Sequence, residues 1–252
     1  MERMKEKKLY WSSSRFKNKK YISILMVLAC FLCFLFGFFF RENYGSAKNV
    51  YYKTVESVVE LKASDPSRGD NYGTAVFLNN SGLLVTNVHV VMYQKDGRMK
   101  EYHKLQIRLP VEESYRDVSL LKYNEELDIA VLKLNNNELN IKEIKIGNSK
   151  KIDYGDKVFS VGNMMNYGIS IAEGIVSAPG IEIEYEGMVR EVIQIDINIA
   201  SGSSGGALLD KNGKLIGITS FRLKDNKGDI VYGTGFAVPI DKVMEYVSSN
   251  KN

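Results

Sequence analysis

The chain has 252 residues, 44% of them hydrophobic and 25% charged, an ordinary globular balance with length for one large or two small cores. Its net charge of +4 is unevenly placed: residues 1–20 hold eight Lys or Arg against Glu2 and Glu6, so that segment alone is +6 and the other 232 residues sum to −2. A nucleic-acid binder carries its basic patch on the folded part, and no such cluster appears beyond residue 20, which argues against nucleic acid as a partner.

The basic segment 1–20 runs into "YISILMVLACFLCFLFGFFF", residues 21–40, which holds no charge and six of the eleven phenylalanines. Twenty helical residues span ~30 Å, the thickness of a bilayer's hydrocarbon core. The stretch is apolar all round, whereas a buried core helix would show polar positions, so a single transmembrane helix is expected. Lys and Arg before it favour a cytoplasmic N-terminus, with everything after residue 40 outside the cell. A cleaved signal peptide is the rival reading, with Gly45 and Ala47 offering a cleavage point before Lys48. Its apolar core is usually ~7–15 residues, which favours a retained anchor. The only cysteines, Cys30 and Cys33, lie inside this span. With no polar neighbour to activate a thiolate, membrane packing or lipidation suits them better than redox or metal chemistry. The exported part must then be stable without disulfides.

Residues 41–49, "RENYGSAKN", read as a polar tether. Beyond them come short apolar runs with alternation or β-branched enrichment, among them "ESVVELKA", "GTAVFLNN", "LLVTNVHVV", "VSLLKYN", "DIAVLKLN" and "IKEIKIGN". "DKVFSVGN", "SIAEGIVSAPGIEIEY", "EVIQIDINIA", "KLIGITSFRL" and "IVYGTGFAVP" continue the pattern. Turn signals separate them at Asn80-Ser81-Gly82, Asp96-Gly97, Tyr154-Gly155-Asp156 and Asn212-Gly213. About thirteen short strands at this spacing mean an all-β fold. Only "PIDKVMEYVSSN" reads helical, with Ile240, Val243, Met244 and Val247 at helical spacing. A polar midpoint, "IGNSKKIDYGD", divides the exported part into two antiparallel β-barrels of roughly six strands each, 50–150 and 151–252, the second closed by the terminal helix.

Between two predicted strands lies "IASGSSGGALLD", residues 199–210. A Gly/Ser linker has polar flanks, but this run is entered and left by apolar strands. There, glycines allow unusual backbone angles and close approach, and successive N–H groups can converge on an anion. That geometry suits acyl transfer, in which a serine needs a base within hydrogen-bond reach and the developing oxyanion needs N–H donors. The candidate nucleophile is Ser204, with Ser201 and Ser203 as alternatives. The candidate oxyanion donors are the amides of Gly202 and Ser204.

The base is His89 or His103, the only histidines. His89 ends an apolar strand, where a lone imidazole is often just a buried polar group. His103 sits among charges in "MKEYHKLQ" and reads as surface. The base needs a buried carboxylate to hold its tautomer. Asp128, at the start of the apolar "LDIAVLKL", is the candidate, with turn capping as the plain alternative. His89, Asp128 and Ser204 then stand in the order of one β-barrel class of triad. Two scattered histidines and no exported cysteine leave a zinc site hard to build, and no metal or cofactor is expected.

These segments, in this order, resemble the HtrA (Deg) family of trypsin-like serine proteases over residues 50–248. "GTAVFLNNSGLLVTNVHVV" resembles that family's histidine motif, "LDIAVLKL" its aspartate motif, "QIDINIASGSSGGALLDKNGKLIGI" its serine motif and "GTGFAVPID" its last strand. The resemblance implies a chymotrypsin-like double barrel with His89 as base, Asp128 as orienting acid and Ser204 as nucleophile in the cleft between barrels. It also implies cleavage of unfolded or damaged exported proteins, Ser220 and Phe221 as substrate contacts, and a homotrimer with aromatic contacts such as Tyr51 and Tyr52 on the first strand. The departures carry expectations of their own. Ala200, Ser201 and Ser203 replace the family's Asn, Pro and Asn, which loosens the oxyanion loop. Asn198 stands at the substrate-pocket position six before the nucleophile, where trypsin-like cleavage after Lys or Arg requires a carboxylate, so a small aliphatic preference is expected. The family's PDZ domain is not matched. The reading is a single-pass, membrane-anchored serine endopeptidase with an extracellular catalytic domain. The alternative is a weakly active or inactive relative that binds extended peptides as a sensor.

Overall fold

The computed structural model describes residues 14–43, 46–110, 112–136, 141–185, 187–222 and 231–249. The chain divides into two units, residues 1–44 and 45–252. The first contains helix α1, Ser14–Asn43, longer than the expected span at both ends. Within it, residues 20–37 have a mean hydropathy of 2.2.

The second unit is mostly β. After helix α2 (Ala47–Thr54) come β1 (Val58–Asp65), β2 (Gly69–Phe77), β3 (Leu83–Thr86), the single helical turn α3 (Val88–Val91), β4 (Met92–Lys95) and β5 (Arg98–Glu101). β6 (Lys104–Arg108), β7 (Arg116–Asn124) and β8 (Ile129–Leu134) complete the first half. Then come β9 (Lys157–Gly162), β10 (Ser170–Tyr185), β11 (Met188–Ile195), β12 (Ala207–Asp210), β13 (Leu215–Thr219), β14 (Gly235–Pro239) and helix α4 (Ile240–Ser248). All the pairings between these strands are antiparallel. They close two barrels, in the orders β1-β2-β3-β8-β7-β6 and β10-β11-β14-β13-β12-β9, while β4 and β5 form a separate hairpin. The all-β, double-barrel expectation and the helix after the last strand both hold.

Local chemistry sets the turns. Asn79 Oδ1 accepts from the amides of Ser81 and Leu83 (both 3.1 Å), folding the β2–β3 connection back on itself. Asp210 Oδ1 does the same for Asn212 and Lys214, both at 2.8 Å.

Three apolar clusters explain why the strands read as continuous runs. Ala75, Phe77, Ala130 and Leu132 point into the first barrel, and Ile193, Ile195, Leu208 and Ile216 into the second. A middle cluster joins Val76, Val85, Ile129 and Val131 of the first barrel to Phe159, Val161, Leu209 and Ile218 of the second. A strand such as β8 is therefore buried on both faces, and "IAVLKL" shows no polar alternation. Helices α2 and α4 cover the ends of this middle cluster through Val50, Ile240 and Val243. Lys122 Nζ donates to the carbonyls of Tyr246 (2.9 Å) and Ser249, satisfying the C-terminal end of α4 with a cation.

Three expectations are corrected. Tyr51 and Tyr52 lie on helix α2, not on a first strand, because Ser46 caps it: its side chain accepts from the Asn49 amide at 3.3 Å. "IKEIKIGN" forms no strand and contributes only a bridge between Ile146 and Leu215. Its isoleucines instead bury Ile141 against the first barrel and Ile144, three residues on, in the middle cluster. His89 is not on a strand but on the helical turn α3.

Candidate active site

β3 ends at Thr86, and the residue after it anchors the helical turn α3. Asn87 is fully buried, and its Nδ2 donates to the carbonyl of Asp128 at 2.8 Å. The Val88 amide donates to the same carbonyl at 3.3 Å. The turn bearing His89 is thus hooked onto the turn bearing Asp128. That second turn is tight: Asp128 has φ +54°, and its amide donates to Glu125 O at 3.2 Å. A left-handed backbone is costly for most residues but tolerated by Asp.

This turn buries the Asp128 carboxylate and surrounds it with donors. His89 Nδ1 lies 2.8 Å from Oδ2, the His89 amide donates to Oδ1 at 3.2 Å, and Ser220 Oγ donates to Oδ2 at 2.6 Å. An ionised carboxylate only accepts, so Nδ1 is the protonated nitrogen, and in the neutral ring Nε2 keeps its lone pair. The His89 side chain is 47% exposed and that of Asp128 only 5%. The acid is sequestered and the imidazole is open to a ligand.

The Ser204 loop is clamped from both barrels. Thr74 of β2 donates through Oγ1 to Gly202 O (2.7 Å) and through its amide to Ser204 O (2.8 Å). Thr74 Oγ1 also accepts from the Asn163 amide at 2.9 Å. From the other side, Gly205 N donates to Thr219 O (2.8 Å), and Thr219 Oγ1 donates to Ser203 O (2.9 Å). Gly202 and Gly205 have φ of +86° and +83°, and a Cβ on either would collide with its surroundings: Asn163 O in one case, Thr74 O and Thr86 Oγ1 in the other. The run is a tightly packed loop, not a linker.

Where the family's Asn, Pro and Asn are replaced, other bonds hold the chain. Ser203 donates to Ala200 O through both its amide (3.1 Å) and its hydroxyl (2.5 Å), and Met165 N donates to Ser201 O at 2.7 Å. Ser203 is fully buried. The amides of Gly202 and Ser204, on either side of it, have no hydrogen-bond partner among the described residues.

Ser204 Oγ donates to the carbonyl of Ser220 at 2.8 Å. Ser204 and His89 line one cleft of about 310 Å³, together with Ile199, Ala200, Phe221 and Arg190. The structure therefore joins His89 to Asp128 directly and links Ser204 to them through Ser220. His103 is exposed and lines none of this cleft.

Two expected substrate contacts look different in the structure. Asn198 is exposed and outside the lining of the cleft. The Ser220 hydroxyl is engaged by Asp128, so only its carbonyl faces Ser204. Phe221 does line the cleft, with its ring stacked 4.0 Å from that of Tyr185. Sequence reasoning missed Thr74, Tyr185 and Arg190, which sit in ordinary alternating strands and carry no local signal.

Known proteins share this architecture. Residues 73–218 match the trypsin-like peptidase domain. The chain is 29% identical to the serine endoprotease DegS of Haemophilus influenzae over 194 residues, covering 77% of this chain and 54% of that protein. It is 36% identical to the periplasmic pH-dependent serine endoprotease DegQ of Escherichia coli over 172 residues, covering 68% and 35%. The solved structure of the HtrA-type protease AlgW with tripeptide superposes with a TM-score of 0.69 at 28% identity, over 81% of this chain and 63% of that one. The chain spans about half, or about a third, of the length of these curated relatives.

Thr74→Val tests the clamp. It removes a buried hydroxyl that both donates and accepts, and should destabilise the fold by about 1–3 kcal/mol, read as a lower urea midpoint at unchanged m-value. A midpoint equal to wild type would show that the loop does not depend on this residue.

Proposed function

Because the chain belongs to the trypsin-like peptidase family, in its HtrA branch, we propose that it is a membrane-anchored serine endopeptidase acting on unfolded or damaged exported proteins. In this reading, Ser204 attacks a peptide carbonyl while His89 Nε2 accepts its proton. Asp128 holds the imidazole tautomer and stabilises the imidazolium. The oxyanion is received by the amides of Gly202 and Ser204. His89 then protonates the leaving amine, and water repeats the sequence on the acyl-enzyme.

The observation that carries the reading is the chain of contacts from the His89 ring to Asp128, from Asp128 to Ser220, and from Ser220 to Ser204. The two unpartnered amides flanking the engaged Ser203 amide support the oxyanion role. The Ser220 carbonyl now holds the Ser204 hydroxyl. An extended peptide pairing with residues 220–222 would compete for that carbonyl and turn the hydroxyl toward His89. The tripeptide in the AlgW structure supports peptide as the ligand class. Ile199, Ala200 and Phe221 line the cleft and no carboxylate does, which favours an aliphatic side chain at the cleavage point over Lys or Arg.

The apolar helix α1, preceded by the basic segment, supports a single-pass anchor with the catalytic part outside the cell. Full-length protein should stay with membranes through alkaline carbonate extraction. Release into the supernatant as a species lacking residues 1–47 would instead make the helix a signal sequence.

The activity is tested by fluorophosphonate labelling and by cleavage of a denatured protein. Wild type should do both. Ser204→Ala should lose labelling and retain at most about 10⁻³ of the cleavage rate, with an unchanged circular dichroism spectrum. A folded wild type that never labels would leave the sensor reading in its place, and a Ser204→Ala protein that still labels would move the nucleophile to Ser201.

A further inference from the structure

Arg190 stands on β11 in the second barrel, and its guanidinium reaches the wall of the cleft that holds Ser204 and His89. It is 7% exposed, the most buried cation among the described residues. Its Nη2 donates to the carbonyl of Glu125 at 3.1 Å, and its Nε is buried with no partner. Its guanidinium carbon lies 5.6 Å from the Tyr185 ring centroid and 5.9 Å from that of Phe221. Among the described residues no carboxylate lies within ion-pair distance of it. Arg108 and Arg116, both far more accessible, have Glu60 and Glu112 at 2.7 and 2.9 Å.

This distribution is the reverse of the one solvation favours. A buried cation ordinarily has a counter-ion, because two ring faces and one carbonyl replace only part of its hydration. Glu125 and Asp128 line a neighbouring cleft with Arg190, but neither is within ion-pair distance of it, and Asp128 already accepts three hydrogen bonds from His89 and Ser220. Arg222 adds a second cation to the same lining, which contains no Asp or Glu. A guanidinium has five N–H donors, and only one of them is engaged here.

We infer that Arg190 is a specificity residue: it binds a carboxylate of the peptide substrate, an Asp or Glu side chain close to the scissile bond. The inference rests on the endopeptidase reading and adds a substrate class to it. The aliphatic pocket at Ile199 and Ala200 selects the residue at the cleavage point, and Arg190 selects an acidic neighbour. The charge-assisted bond forms where water is largely excluded, so the neutral isostere is rejected by the lost charge rather than by shape.

The test uses the full chain in detergent. Mass spectrometry of cleavage products from denatured proteins should show Asp and Glu enriched at one fixed position beside the cleaved bond. Peptide pairs differing only by Glu or Gln at that position should differ in kcat/KM by at least about tenfold. The ratio should approach one in Arg190→Gln and be partly kept in Arg190→Lys, read as a ratio whatever the absolute rates. Equal cleavage of the Glu and Gln peptides by a wild type that labels with fluorophosphonate would overturn this inference and leave the endopeptidase standing. An unchanged ratio in Arg190→Gln would overturn it as well. A wild type that neither labels nor cleaves would overturn both.

Discussion

One buried carboxylate organises this molecule. Asp128 is removed from water and takes donors from two barrels: the ring and amide of His89 from the first, the Ser220 hydroxyl from the second. A buried carboxylate lacking those donors would be costly, so the two barrels are held in the one arrangement that supplies them. The same contacts that make burial tolerable fix the orientation of the imidazole. Stability and site geometry are here a single constraint.

The rest of the fold serves that constraint. The middle apolar cluster joins the barrels, so Thr74, Asp128 and Ser220 do not drift relative to one another. Thr74 and Thr219 grip the Ser204 loop from opposite sides. Arg190 adds a further tie from the second barrel to Glu125, whose carbonyl also receives the Asp128 amide. Each tie acts on backbone, which helps the loop hold left-handed glycines and two unpartnered amides at once. Preorganisation of this kind is what electrostatic catalysis requires.

Much of this was legible in the sequence, for identifiable reasons. Barrel strands announce themselves through β-branched runs and turn residues, and "LDIAVLKL" stood out because an acid opened a stretch buried on both faces. Glycines flanked by apolar strands marked the Ser204 loop as structured. Contacts that depend on tertiary register could not be read. "IKEIKIGN" is as β-branched as a strand but buries Ile141 and Ile144 in two different cores without a ladder. Tyr51 and Tyr52 come after a serine cap whose effect on the next eight residues outweighs their β-propensity. Ser220 was expected to contact substrate by its place on a predicted strand after the Ser204 loop, and nothing local reveals that Asp128, 92 residues earlier, takes its hydroxyl. Asn198 held its place by count along the chain, but the backbone turns it to solvent.

The central claim is that the Asp128 carboxylate fixes the imidazole of His89 in the tautomer protonated at Nδ1. The chain has only two histidines, so nitrogen-15 spectra of histidine-labelled protein resolve them individually. The account predicts that neutral His89 carries its proton on Nδ1, with a downfield N–H resonance that disappears in Asp128→Ala. A His89 protonated at Nε2, or an Nδ1 resonance indifferent to the loss of Asp128, would contradict it.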